Sequence, residues 1–111
     1  MAETYQIIVT KGAKKDINDI LSYLQKKVSQ SEAIDARQKI LSAIHTLSNM
    51  PSSRSPVQEV AQLTNEIVYR QVIAKEVYRI IYRIKEIQKG VVVIRVMHIK
   101  RGPTFIKKAL E

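Results

Sequence analysis

The side chains in this sequence best suited to chemistry are arginines. Arg70, Arg79, Arg83 and Arg95 all fall in its second half, and His98, Lys100, Arg101, Lys107 and Lys108 follow them. Guanidinium forks bind phosphate or carboxylate through paired hydrogen bonds, and an imidazole near neutral pKa moves protons. Arg79, Arg83, Arg95, His98 and Arg101 are therefore the set from which a ribonuclease site would be drawn. Each also has a plainer reading. An arginine on a strand face is ordinarily solvated, a strand-end histidine ordinarily packs or caps, and Tyr78 and Tyr82 read as core residues whose hydroxyls reach an edge.

Other reaction chemistries lack their residues. There is no cysteine, which removes disulfides, thiolate nucleophiles and cysteine zinc sites, and two histidines alone make a poor metal site. Three glycines are too few for several phosphate-cradling loops, and no zinc-spaced cluster or serine nucleophile motif occurs. The expectation is a protein without metal or cofactor.

With 111 residues, 45% of them apolar and 26% charged, the chain has the size and composition of one globular domain, spanning 1–111. Nineteen Lys and Arg against ten acids leave a net charge of +9, which attracts polyanions or an acidic protein partner. The charge is uneven: seven bases and five acids up to residue 50, twelve and five beyond it. No apolar run approaches the roughly 18 residues of a membrane span, and the first residues lack the layout of a signal peptide. A cytoplasmic protein making no membrane contact is expected.

These charges need elements to hold them. Tyr5, Ile7 and Val9 alternate with Gln6, Ile8 and Thr10 as in a short strand. From Ala13 to Val28, the residues Ile17, Ile20, Leu21, Leu24 and Val28 form one helical stripe, with Asp16 early and Lys26 and Lys27 late to complement the helix dipole. Ser29-Gln30-Ser31-Glu32 has the reciprocal capping-box pattern. It opens a second helix running to about Asn49, with Ala33, Ala36, Ile40, Leu41, Ile44 and Leu47 inward, and Pro51 stops it. Residues 51–65 read as a surface loop. Three strands then follow over Glu66 to Ile73, Glu76 to Ile87 and Val91 to Ile99. Gln88-Lys89-Gly90 makes the last hairpin, glycine supplying a positive φ. Thr104 to Glu111 forms a helical turn or frays.

The order predicts an α+β fold: an N-terminal strand and an antiparallel helical hairpin packed on one face of a small, mainly antiparallel sheet. Tyr78, Ile80, Tyr82 and Ile84 point toward the helices, and Val77, Arg79, Ile81, Arg83 and Lys85 away. The far face is then expected to be an open basic surface, which Arg70 and Arg95 join according to register. Val92, Ile94, Val96 and His98 are expected to share one strand face.

The order and wording of these segments resemble a known family. Ala13-Lys14-Lys15-Asp16-Ile17-Asn18-Asp19-Ile20, Leu47-Ser48-Asn49-Met50-Pro51, Val77-Tyr78-Arg79-Ile80-Ile81-Tyr82-Arg83-Ile84 and Val93-Ile94-Arg95-Val96-Met97-His98 resemble the ParE branch of the RelE/ParE toxin superfamily, over nearly the whole chain. The resemblance implies the toxin of a type II toxin–antitoxin pair, acting on DNA gyrase with no covalent chemistry of its own. It implies neutralisation by a ParD-like antitoxin with a ribbon-helix-helix N-terminal domain and an acidic C-terminal segment. The two form a hetero-oligomer that touches operator DNA only through the antitoxin. The alternative is a ribosome-dependent messenger RNA endoribonuclease of the RelE/YoeB type, drawing on Arg79, Arg83, Arg95, His98 and Arg101. Against it, no tyrosine follows Arg83, Ile99 stands after His98 where such nucleases usually carry Tyr, and the tail offers Phe105, which cannot transfer a proton. The loop reads Ser53-Arg54 where the family often has glycine before arginine, and the tail continues Ile99-Lys100-Arg101-Gly102-Pro103 rather than into further arginines. A basic module binding nucleic acid directly is a third reading. Partner contact is expected from Arg70, Arg79, Arg83, Arg95, Lys100, Arg101, Lys107 and Lys108.

Overall fold

The computed structural model describes residues 4–54, 57, 68–101 and 103–110. Strand β1 (Gln6–Val9) leads into helix α1 (Lys11–Lys27) and helix α2 (Gln30–Thr46), followed by a single 3₁₀ turn at Pro51–Ser53. Strands β2 (Arg70–Ala74), β3 (Tyr78–Lys85) and β4 (Gly90–His98) follow, then helix α3 (Pro103–Leu110). The sheet order is β1-β4-β3-β2, with β1 parallel to β4 and the other pairs antiparallel. The predicted α+β architecture is therefore the observed one. Of the predicted loop and the strand start at Glu66, residues 55, 56 and 58–67 lie outside the described residues.

Both long helices are capped by the side chains that precede them. The Thr10 hydroxyl accepts from the Ala13 N–H at 3.2 Å, and the Ser29 hydroxyl from the Glu32 N–H at 3.0 Å, satisfying donors that a helix N-terminus leaves without intrahelical partners. The expected reciprocal half of the second cap is absent among the described residues. Glu32 instead pairs with Lys75 at 2.7 Å, and Asp35 with the same ammonium at 2.8 Å.

The helical stripe buries Ala13, Ile17, Ala36, Ile40, Ile44 and Leu47 against Tyr78, Ile80, Tyr82, Val91, Val93 and Val96 of the sheet. Leu41, expected inward, is 42% exposed, because it lies off the arc that Ala36, Ile40 and Ile44 turn toward the strands. Inside this core the Tyr82 hydroxyl donates to the Pro51 carbonyl and ties the 3₁₀ turn to β3. Burial pushes the Tyr82 phenol up to about 12, and raises that of Tyr78 by the same cause.

Two turns use residues other than glycine in the left-handed region. Lys89 has φ 50°, and Gly90 has no positive φ and begins β4, so the expected role of glycine passes to the lysine before it. In the β2–β3 turn, closed by the Val77 N–H on the Ala74 carbonyl at 3.1 Å, Lys75 and Glu76 have φ of 52° and 62°. Side chains with a Cβ resist this region. The double ion pair of Lys75 with α2 holds the turn there and, with hydrogen bonding to the two carboxylates as the main cause, raises the Lys75 pKa.

Two predictions follow from these packing facts. Glu76→Gly, which relieves the left-handed strain at an exposed position, raises unfolding free energy by about 1 kcal/mol in a urea titration. Because folding raises the Tyr82 pKa above its ordinary 10.0, the stability tied to its neutral hydroxyl is complete below pH 10 and declines as pH climbs toward 12. Tyr82→Phe flattens that part of the stability–pH curve, while costing about 1 kcal/mol at neutral pH for the Pro51 carbonyl left without its donor.

Candidate functional site

A groove along the end of β4 arises from a mismatch in strand length. β4 has nine residues and β1 only four, so pairing between them ends at Val9 opposite Val93. The chain then turns into α1, whose first turns lie along the rest of β4. The Thr10 N–H still reaches the Val93 carbonyl at 3.1 Å, and the Thr10 hydroxyl donates to the Ile94 carbonyl at 3.0 Å while capping α1. One and a half turns further on, Asp16 takes over. Its carboxylate accepts from Arg95 Nε at 2.7 Å, from the other guanidinium edge at 2.9 Å, and from the Val96 N–H at 2.9 Å.

A β-bulge interrupts β4 at this point. Ile81 pairs with Arg95 but Tyr82 pairs with Val93, so Ile94 is the extra residue on β4. The bulge breaks the single face expected for Val92, Ile94, Val96 and His98: Val91, Val93 and Val96 pack in the core with Tyr78, which His98 meets edge-on, while Arg95, opposite Ile81, reaches past the open edge of β4 to Asp16 on α1. The side chain of Asp16 is 13% exposed and that of Arg95 30%. Hydrogen bonding to Asp16 raises the Arg95 pKa, against a smaller opposing effect of burial. Asp16 lies beyond the first turn of α1, which carries no acid, so its role is this pairing in place of the dipole complement expected of it.

Between α1, the end of β4 and α3 lies a groove of about 910 Å³. Asp16, Arg95, Val96 and Met97 form its base, with Lys15, Asp19, Tyr23 and Leu24 along the α1 side and Tyr78, His98, Arg101 and Phe105 at the other end. The Arg101 guanidinium lies over the Phe105 ring at 4.6 Å, a cation–π contact. His98 sits edge-on to Tyr78 at 6.0 Å and accepts the Lys100 N–H on Nδ1 at 3.0 Å, as its capping reading anticipated. The Lys15–Asp19 pair at 2.8 Å is largely exposed.

The expected open basic face does not exist in that form. The far side of the sheet carries a second apolar cluster of Val57, Ile81, Met97 and Ile106, with Ile106 contributed by α3. Arg79 is only 8% exposed there and donates to Gln71 at 2.8 Å. Arg83 is half-buried opposite Val92 on the same side, and Arg70 donates to the Arg54 carbonyl at 2.7 Å. The structure thus gathers Arg95, His98 and Arg101 at the groove and separates them from Arg70, Arg79 and Arg83. Lys100 and Lys108 are exposed, and the Lys107 side chain lies outside the described residues. Among the described residues no cluster of three or more His, Cys, Asp or Glu could hold a metal ion, and no helix is long and apolar enough to cross a membrane. Asp16, Tyr23 and Thr10 were missed as site residues. The sequence carried no local signal for them, since the partners of Thr10 and Asp16 lie on β4, about 80 residues away.

A family model for the ParE toxin of type II toxin–antitoxin systems, parDE, matches residues 7–103. The chain belongs to the ParE toxin family. Its fold is similar to that in a chromosomal ParDE toxin–antitoxin system from P. aeruginosa, at a TM-score of 0.69 and 14% identity over 87% of this chain and 98% of that one. It is also similar to a chain of the RelBE2 toxin–antitoxin complex from Mycobacterium tuberculosis, at 0.55 and 22% identity over 86% and 92%. An archaeal RelE–RelB complex from Pyrococcus horikoshii OT3 gives 0.56 and 14% over 89% and 99%. No curated protein sequence matches. A toxin of the ParE family is the reading that the strand wording of β3 and β4 had suggested.

In this ParE-family chain the half-buried Asp16 pair and the exposed Lys15 pair should behave differently. Asp16→Ala strands both a guanidinium and the Val96 N–H and lowers unfolding free energy by about 2 kcal/mol. Lys15→Ala leaves the denaturation midpoint unchanged, since an exposed pair is screened and adds little.

Proposed function

We propose that this ParE-family toxin acts as a protein inhibitor of DNA gyrase, trapping the enzyme with cleaved DNA and so blocking replication, and that an acidic antitoxin neutralises it. The observation that supports inhibition over RNA cleavage is the dispersal of the arginines. A phosphodiester transition state needs preorganised cations converging on one point with a proton donor and acceptor in reach. Here Arg79 and Arg83 lie on the far side of the sheet, Arg79 buried, and Arg95 is engaged bidentately by Asp16. Of the five residues considered for cleavage, only His98 and Arg101 remain together at the groove with their outward atoms available, and Phe105 beside them carries no titratable group.

The antitoxin half of the proposal is supported by the charge of +9 and by the family's membership in toxin–antitoxin systems. A ParD-like partner whose acidic segment folds on binding would offset that charge and cover apolar surface. Arg101, Lys100 and Lys108, exposed on one end of the molecule, are the basic residues best placed for partner contact.

In a supercoiling assay, equimolar purified toxin is expected to stop gyrase and to accumulate cleaved DNA, and preincubation with the product of an adjacent acidic reading frame to restore activity. Primer extension on ribosome-bound transcripts should show no new ends. Codon-specific cuts with supercoiling intact would transfer the protein to the RelE-type alternative.

A further inference from the structure

Strand β1 lies at the edge of the sheet, with β4 on one side only. The Gln6 N–H donates to the Lys89 carbonyl at 2.8 Å and the Thr10 N–H to the Val93 carbonyl at 3.1 Å, so the even-numbered residues turn their backbone groups toward β4. Successive residues of a strand alternate, and the groups of Ile7 and Val9 therefore point outward from the sheet. Tyr5 begins that outward row and is bonded there, its N–H on the Ser48 carbonyl at 2.9 Å. Among the described residues the N–H and C=O of Ile7 and of Val9 make no hydrogen bond.

The side chains leave this edge equally unguarded. Proteins keep edge strands from pairing with lysines, prolines or bulges. β2, at the opposite edge, begins with Arg70 and ends in the strained turn of Lys75 and Glu76. Gln6-Ile7-Ile8-Val9-Thr10 has no charged residue, in a chain of nineteen bases and ten acids. Ile7 and Val9 pack against the core, whereas Ile8, in register with Val92 on the far side of the sheet, is 52% exposed. This layout is self-complementary. When two such edges run antiparallel about a two-fold axis at Ile8, Ile7 of each copy meets Val9 of the other as a pair that exchanges both of its backbone bonds. The two Ile8 residues then form the central pair without backbone bonds, where side chains directly opposite approach most closely. An acidic or basic strand finds no counter-charge along this edge, while a second copy satisfies both the backbone row and Ile8.

We propose that a second copy of this chain pairs antiparallel along β1, joining two four-stranded sheets into one. The contact uses neither the groove nor the arginines, and it is independent of what the toxin acts on.

The chain has no cysteine, so one introduced thiol reports on its own two-fold mate. At the central pair the Cα atoms lie about 4.5 Å apart, within the span of a disulfide. Ile8→Cys is expected to oxidise to a linked dimer about tenfold faster than Ile87→Cys, by the effective concentration that pairing confers. Ile87, at the tip of the β3–β4 hairpin, is 94% exposed and the better placed of the two for chance collisions. Gln6→Cys, which the same axis sets opposite Thr10 and about 14 Å from its own copy, is expected to stay unlinked on that timescale. In sedimentation equilibrium the unaltered chain is expected to rise from 12.7 kDa toward twice that mass with concentration. Ile8→Lys, at a half-exposed position that spares the core, sets like charges directly opposite and is expected to weaken association by about tenfold. A single-chain mass at every concentration, association untouched by Ile8→Lys, or linking of Ile8→Cys no faster than of Ile87→Cys would overturn the proposal. So would Ile7 and Val9 amides that become slow to exchange only when an acidic antitoxin is added, since a partner strand would then be the occupant.

Discussion

One carboxylate decides how the two halves of this molecule meet. Asp16 receives three hydrogen bonds from β4, two from Arg95 and one from the Val96 backbone. It docks α1 onto the stretch of sheet that β1 is too short to cover. A strand edge of this kind, left open, is a template for pairing with another chain. The helix closes part of it with side chains instead of backbone, Thr10 on the Ile94 carbonyl and Asp16 on the Val96 N–H. What it leaves unclosed becomes the floor of the groove.

The same interaction reassigns the arginines. Arg95 stands opposite Ile81, in step with Arg79 and Met97, yet its guanidinium reaches past the uncovered edge of β4 to Asp16 on α1, where its charge is spent within the fold. The far side meanwhile is not a surface over much of its area. Ile81 and Met97 find apolar partners in Ile106 and Val57, and Arg79 is buried among them with a hydrogen bond to Gln71. Arg79 and Arg95 are thereby engaged within the fold, while Arg101 remains outward at the end of the sheet, carried on an aromatic ring.

The strained β2–β3 turn belongs to the same economy of contacts. Lys75 and Glu76 adopt a left-handed backbone that glycine would adopt more readily, and Lys75 is kept there by Glu32 and Asp35 of α2. Sheet and helical hairpin are therefore joined at both ends, by Asp16 on β4 and by Lys75 on α2. The apolar core lies between the two ion-paired sites.

Much of the fold was legible in the residues alone, because periodicity is a local property. The stripe from Ile17 to Leu24, the stripe from Ala33 to Leu47, the alternation of Tyr78, Ile80 and Tyr82, and the β3–β4 hairpin can each be read within a dozen residues, and the strand wording carried the family. What local pattern could not supply was the outcome of long-range pairing. Arg95 meets Asp16, 79 residues away, at the stretch of β4 that β1 is too short to cover and α1 lies beside. The acceptor that receives the buried Arg79 comes from Gln71 of the neighbouring β2, and the groove depends on two strands of unequal length lying side by side. The sequence by itself determined which segments are helix or strand and how much charge they carry. Only the tertiary structure decided which charges are neutralised and which are presented, because pairing partners are chosen by geometry that no single segment contains.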